Sequence, residues 1–113
     1  MRKLALVLLL FAAIARADEP ETVMVTAKAK PGHEAQLESV LKKHWATIKR
    51  LDLVTTDEHQ LFRSDGGVYI DIFTWKSGAI PDNPPAEVLG VWKEMNDAAA
   101  KLEIVQITRV HVE

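Results

Sequence analysis

The apolar residues of this chain change their spacing in a fixed order, and that order constrains the fold more than any other feature. They alternate with period two over residues 22–30, which predicts a strand, and then follow helical spacing from 33 to about 51. The order strand–helix–strand then occurs a second time. The remaining strands are predicted at 58–63, 68–76 and 103–112, and the second helix lies at about 86–100, between the last two strands. Ser64-Asp65-Gly66-Gly67 is a hairpin turn because glycine accepts positive φ. The pattern predicts a ferredoxin-like βαββαβ sandwich of the α+β class, a four-stranded antiparallel sheet with two helices on one face.

The N-terminal residues 1–17 have the composition of a leader. Met1-Arg2-Lys3 is basic, a run of 12 apolar residues follows, and Ala15-Arg16-Ala17 has the small-x-small form that signal peptidase recognises. We therefore expect a secretory signal peptide cleaved after Ala17 and a bacterial protein that is periplasmic or secreted. The apolar run is shorter than the roughly 18 residues that cross a bilayer, so we expect no membrane span after cleavage. Residues 18–21 form a flexible lead-in to a domain at 22–113.

The composition of residues 18–113 excludes several classes of function. With the leader removed, 11 basic residues face 16 acidic ones, a net charge of −5, whereas nucleic-acid binding needs a basic footprint. The chain has no cysteine, which excludes disulfides and thiolate chemistry. We therefore expect no nucleic-acid partner and a stability that depends on a good core or on oligomerisation.

The strand at 68–76 is apolar on both of its faces. One face carries Val68, Ile70, Ile72 and Thr74, and the other carries Tyr69, Asp71, Phe73 and Trp75. Two helices cover only one face of the sheet, and a face left to water is normally polar. Because the aromatic face is not polar, we expect a second copy of the chain to cover it, giving a homodimer that packs sheet to sheet. Alternation alone does not say which face meets the helices, so the residues of this face are candidates for either the dimer or the cleft.

Four stretches of the chain carry a resemblance to a known family. They are VTAKAKPGHEAQLESVLKKHW, YIDIFTWKS, AEVLGVWKEM and IVQITRV, and together they span nearly all of residues 22–112. These stretches resemble the antibiotic-biosynthesis-monooxygenase-like domains of the dimeric α/β-barrel superfamily. The resemblance implies a dimer whose sheets build a barrel and a cleft for an apolar ligand between helices and sheet. It also implies monooxygenases that work without metal or flavin, so we expect no cofactor. Activities differ widely within this superfamily, and the fold alone does not select one.

The haem-degrading branch of this superfamily places an Asn on the first strand, a Trp on the third and an iron-ligating His on the second helix. Trp75 fits, but the first strand has no Asn and the second helix has no His. Without an axial ligand on that helix, we do not expect a haem-degrading protein. We also expect no metal site, since His33 and His44 are separated by about 16 Å of helix and no histidine motif has ligand spacing.

The candidate site residues are aromatic and polar side chains of the predicted cleft. The candidate walls are Tyr69, Phe73, Trp75 and Trp92, and the candidate catalytic groups are His44, Asp71 and Arg109. His44 is either a base or hydrogen-bond donor in the cleft or a half-buried structural histidine. Asp71 is either an acid–base group or one half of a structural ion pair inside the dimer barrel, and Arg109 and His111 are its natural partners. The aromatic residues are either a ligand wall or ordinary core.

Two functions fit these residues. The first is an exported dimer that binds a small apolar or aromatic molecule and acts as a cofactor-independent monooxygenase on it. The alternative is a non-catalytic envelope or periplasmic protein of the same fold, whose aromatic face only forms the dimer.

Overall fold

A computed structural model describes residues 19–56 and 58–112 of the chain and confirms the predicted ferredoxin-like order. The strands and helices are β1 (Glu21–Ala29), α1 (Glu34–Arg50), β2 (Gln60–Ser64), β3 (Val68–Trp75), a short 3-10 helix (Ile80–Asp82), α2 (Ala86–Ala98) and β4 (Ala99–Gln106). The strand order in the sheet is β2-β3-β1-β4, and every neighbouring pair is antiparallel.

The predicted signal peptide, residues 1–17, lies outside the described residues. Within residues 19–56 and 58–112, no helix combines the length and the apolar character needed to cross a membrane.

The helices cover the aromatic face of β3, so the prediction that a second copy covers it was wrong. Tyr69, Asp71, Phe73 and Trp75 are all buried, and they face the same side as the buried alternate residues of β1. The other face of β3, from Val68 to Thr74, is only half-buried and open. Alternation alone does not say which of two apolar faces meets the helices. The larger aromatic side chains fill the space beneath the helices, where they bury the most apolar surface.

Strand β4 begins and ends earlier than predicted. It starts at Ala99, directly after α2, because Ala99 already pairs with Ala29 of β1. The register with β1 ends at the pair Val23–Gln106, although Ile107 N still donates to the carbonyl of Thr22 at 2.9 Å. Since β1 begins at Glu21, no described strand lies beside residues 108–112, and they form no ladder.

The segment between α1 and β2 packs over the end of β3. Val54 forms an isolated bridge with Trp75, Thr55 N donates to Thr74 O at 3.0 Å, and Lys76 N donates to Leu53 O at 2.9 Å. Val54 is buried in the same cluster as Trp75. This segment therefore holds the end of β3, and with it the indole of Trp75, in a fixed position.

Candidate functional site

A cavity of about 260 Å³ lies between the two helices and the sheet. Its walls include Phe73 and Trp75 of β3 and Trp92 of α2. The mouth lies toward the edge strand β4, where Ile104 lines the cavity and is 61% exposed. The described lining is mostly apolar, and its polar members are Glu21, His44 and Asn96.

The three aromatic walls form a continuous edge-to-face series. The ring centroids of Phe73 and Trp75 are 5.0 Å apart at an interplanar angle of 82°, and those of Trp75 and Trp92 are 6.5 Å apart at 74°. Such perpendicular contacts are the favoured aromatic geometry and hold the rings in place. The cavity wall is therefore a preformed aromatic surface.

Tyr69, the fourth predicted wall residue, lies outside this cavity. Its hydroxyl donates to the backbone carbonyl of Glu34 at 3.2 Å, and its ring belongs to the core cluster that contains Leu37 and Leu41. It stands four residues before Phe73 on the same face of β3, so it packs under the start of α1 rather than beside α2. Tyr69 therefore ties the helix to the sheet.

His44 of α1 reaches the cavity from the helix layer and is 2% exposed. Its Nε2 accepts a hydrogen bond from Trp92 Nε1 at 3.0 Å, so the proton of the neutral ring is assigned to Nδ1. Nδ1 is buried and has no hydrogen-bond partner within the described residues. Burial, together with the charge of His59, lowers the pKa of His44 to about 4. At neutral pH His44 is therefore an uncharged ring that positions Trp92, and its basic nitrogen is occupied.

Asp71 forms a separate pair with a residue that the sequence did not suggest. His59 Nε2 donates to Asp71 Oδ1 at 2.6 Å, and the His59 ring stacks on Trp45 with centroids 4.0 Å apart and an interplanar angle of 7°. Burial raises the pKa of Asp71, and His59 opposes that rise. Asp71 is 1% exposed and does not line the cavity, so the pair fastens the start of β2 to α1 and β3.

The predicted pairing of Asp71 with Arg109 was wrong. Asp71 faces the helices, whereas Arg109 lies against the open face of the sheet beside Ile72 and Thr74. The prediction assumed that the last strand runs to residue 112 beside the others. Because the ladder ends at Gln106, strand parity does not bring Arg109 or His111 to Asp71.

Three residues of these sites were missed by sequence reasoning. Glu21 lines the cavity opposite Trp75 in the sheet register, and Asn96 lines it while its amide donates to Trp92 O at 3.2 Å. The parity of Glu21 with Val23 was a signal for this position. The contact of His59 with Asp71 was missed because residues 58–63 were predicted as a strand, whereas β2 begins at Gln60 and His59 lies in the irregular segment before it.

The described residues contain no group of three or more His, Asp or Glu side chains placed to hold a metal ion. Within the cavity lining His44 is the one imidazole, and its Nε2 is engaged by Trp92.

Comparison with known proteins places the fold. No protein-family model matches the chain, and no curated protein matches it significantly. Among solved structures, a mutant of SnoaB, a cofactor-independent oxygenase from Streptomyces nogalater, superposes with a TM-score of 0.68 at 17% identity, over 83% of this chain and 96% of that one.

Two further structures are similar over comparable lengths. A putative antibiotic biosynthesis monooxygenase from Caulobacter crescentus CB15 has a TM-score of 0.66 at 21% identity, over 89% of this chain and 99% of that one. PA3566 from Pseudomonas aeruginosa has a TM-score of 0.65 at 22% identity, over 84% and 98%. At these identities the comparison establishes architecture. The chain therefore has the fold of the antibiotic-biosynthesis-monooxygenase-like domains.

Proposed function

We propose that this protein binds a small, neutral, aromatic molecule in the cavity between its helices and its sheet. The observation that carries the proposal is the preformed apolar cavity, walled by Phe73, Trp75 and Trp92. Its volume of about 260 Å³ lies between the roughly 150 Å³ of a cavity that binds benzene and the roughly 300 Å³ at which drug-sized pockets begin. That interval suits a molecule of one or two fused rings.

The charge of the lining selects a neutral ligand. The described lining contains no lysine or arginine, and it includes the carboxylate side chain of Glu21. An anion placed there would lose its hydration without gaining a positive partner, which is costly in an apolar cavity. We therefore expect phenols, ketones or quinones without a carboxylate to bind better than aromatic acids.

A substitution that blocks the mouth tests this proposal. Ile104→Trp adds bulk at an exposed position of the lining, whereas Leu89→Trp adds the same kind of bulk at an exposed position of α2 outside the lining. Titration calorimetry with 1-naphthol should show binding to the wild type and to Leu89→Trp, and at least tenfold weaker binding to Ile104→Trp. Equal binding by all three proteins would place the ligand elsewhere, and no binding to the wild type would reject the proposal.

We further propose that the bound molecule is oxidised directly by dioxygen; the similarity of fold to SnoaB, a cofactor-independent oxygenase, supports this proposal. In the simplest balanced reaction an activated ring CH₂ group and O₂ give a ring carbonyl and water. A proton must first leave the carbon. His44 is neutral with its Nε2 engaged, so Glu21 at the cavity wall is the candidate acceptor of that proton. Asp71 and Arg109 lie outside the cavity and take no part in this proposal.

Oxygen uptake separates this enzyme from the alternative, a binding protein of the same fold that performs no chemistry. With 1-naphthol as substrate, whose keto form carries a ring CH₂ group, uptake of O₂ should match the product formed and should fall in Glu21→Gln while calorimetric binding persists. Binding without any oxygen uptake would favour the non-catalytic protein.

Export is the second part of the proposed role. Its support is the basic start, apolar run and small-x-small site of residues 1–17. Expression of the full chain in a bacterium, followed by fractionation and intact mass measurement, should give a periplasmic or secreted product that begins at Asp18. A cytoplasmic product that keeps Met1 would contradict it.

We also propose that the protein is a homodimer through the open face of its sheet. This face is apolar at its centre, with Met24, Ile70 and Ile72 half-buried and Phe62 and Val105 exposed. Apolar faces of this kind usually mark an interface. Sedimentation equilibrium should show a dimer, and a monomer at micromolar concentration would contradict this assembly without affecting the cavity.

A further inference from the structure

The open face of the sheet carries a concavity of about 650 Å³ at the end where β1 begins and β3 ends. The hydroxyls of Thr22 and Thr74 meet at its centre, 2.8 Å apart. Glu58 stands on one flank, just before the edge strand β2, and Arg109 stands on the other, just after the edge strand β4. The concavity is thus framed by opposite charges on opposite edges of the sheet.

These two charges have no partner in the described protomer. Neither side chain forms a hydrogen bond or ion pair with another residue of 19–56 or 58–112. The sheet order explains why they do not meet each other, since β3 and β1 lie between them. Three interstrand spacings of about 4.8 Å separate the two edges of the sheet by about 14 Å.

The segment that carries Arg109 lies beyond the end of the sheet ladder. Residues 107–112 alternate like a strand in the sequence, yet the ladder with β1 ends at Gln106, after which Ile107 N donates to Thr22 O. Val110 and Val112 are 77% and 85% exposed. Strand-like residues with exposed apolar side chains commonly form an interface with another chain.

Building on the homodimer proposed above, we infer that Arg109 of each protomer forms an ion pair with Glu58 of the partner subunit. A two-fold axis through the concavity, near the two threonine hydroxyls, exchanges its flanks. The Arg109 flank of one protomer then faces the Glu58 flank of the other, and the contact occurs twice, as isologous interfaces require. The axis runs parallel to the strands in the plane between the two sheets, since an axis across the strands in that plane would place like charges over each other.

The reciprocal pairs give the apolar sheet face a defined orientation. Apolar surfaces alone allow two sheets to slide or rotate with little change in energy, whereas paired charges penalise a shifted arrangement by bringing like charges together. Glu58 and Arg109 thus specify the register of the dimer. In this arrangement residues 107–112 of each protomer pack on the second copy.

Charge reversal tests the inference. Arg109→Glu and Glu58→Arg should each raise the dimer dissociation constant at least about thirtyfold, and the double variant should return it to within about threefold of the wild type. Matched controls are Lys93→Glu and Asp97→Arg, the same changes of charge on exposed positions of α2. Both controls should leave the dissociation constant unchanged, as measured by sedimentation velocity across a dilution series. Circular dichroism of every variant confirms that it is folded.

Each other outcome overturns the inference. If the single reversals dimerise like the wild type, the pair does not form. If the double variant is as weak as the two singles combined, the residues act separately. A wild-type monomer would remove both the homodimer and the pair, while 1-naphthol calorimetry on the same samples would still report on the cavity. Failure here is therefore distinguishable from failure of the proposed ligand binding.

Discussion

Replacing His44 by leucine should make the protein more resistant to acid. In the folded chain burial lowers the pKa of His44 to about 4, against 6.5 for an ordinary histidine. Between pH 6.5 and about 4, His44 is protonated in the unfolded chain but not in the folded chain. The histidine therefore destabilises the fold increasingly as the pH falls through this range. The penalty is absent above pH 6.5. Leucine has no proton to bind, so the variant lacks this penalty.

The size of the effect follows from the shift. About 2.5 pKa units at 1.36 kcal/mol each amount to about 3 kcal/mol at pH 4. At pH 7.5 two smaller contributions to the free energy of unfolding remain. The indole N–H of Trp92 loses its acceptor, which costs about 1–3 kcal/mol, and the unpartnered Nδ1 of His44 is removed, which gains about 1–3 kcal/mol. The two contributions nearly cancel. The variant should therefore match the wild type at pH 7.5 and unfold at a higher temperature, by more than about 10 °C, at pH 4.

Thermal unfolding followed by circular dichroism at pH 7.5, 6, 5 and 4 measures this difference. His33→Leu is the matched control, because His33 is exposed and its ring forms an exposed hydrogen bond with the side chain of Gln36 at the start of α1. Its difference from the wild type should stay small at every pH. If the gap between His44→Leu and the wild type does not grow as the pH falls, the account of His44 as a buried, neutral ring is refuted.

Three other substitutions test the contacts that hold the fold outside the cavity. His59→Leu leaves the carboxylate of Asp71 buried without its partner, which should lower the free energy of unfolding by about 3 kcal/mol at pH 7. Because the pKa of Asp71 is already raised and would rise further, urea unfolding should show a smaller loss near pH 4. An equal loss at both pH values would contradict the pairing. Gly67→Ala should lower the free energy of unfolding by about 1–2 kcal/mol in the same assay, since φ is +76° and a Cβ would lie 3.3 Å from Glu34 Cγ. Gly66→Ala is the control: its Cβ would meet no atom within 4 Å, so the loss should be smaller.

The order of the elements was predictable from sequence because each is long and strongly periodic. The ends were less so. Ala98-Ala99-Ala100 favours helix by propensity, yet Ala99 is already in β4, since pairing with Ala29 outweighs a preference of a few tenths of a kcal/mol. The end of β4 depends on where its neighbour β1 begins. The alternation of residues 103–112 carries no information about that position.

The candidate site was predicted in part for a related reason. Phe73, Trp75, Trp92 and His44 share the cavity because strand parity and helix spacing place them on buried faces. The alternation of β3 does not say which of its faces meets the helices. For this reason the prediction that the aromatic face forms the dimer interface was wrong. The partner of Asp71 depended on how an irregular segment folds back, and no local pattern encodes such a contact.

The central claim is that the cavity binds a small aromatic molecule, and native mass spectrometry of the exported protein tests it most directly. Wild type, Ile104→Trp and Leu89→Trp would be sprayed side by side, both as purified and after incubation with 1-naphthol. The account predicts one added mass per protomer in the wild type and in Leu89→Trp, and its loss in Ile104→Trp. An adduct that survives in Ile104→Trp, or a wild type that never carries one, would contradict the account.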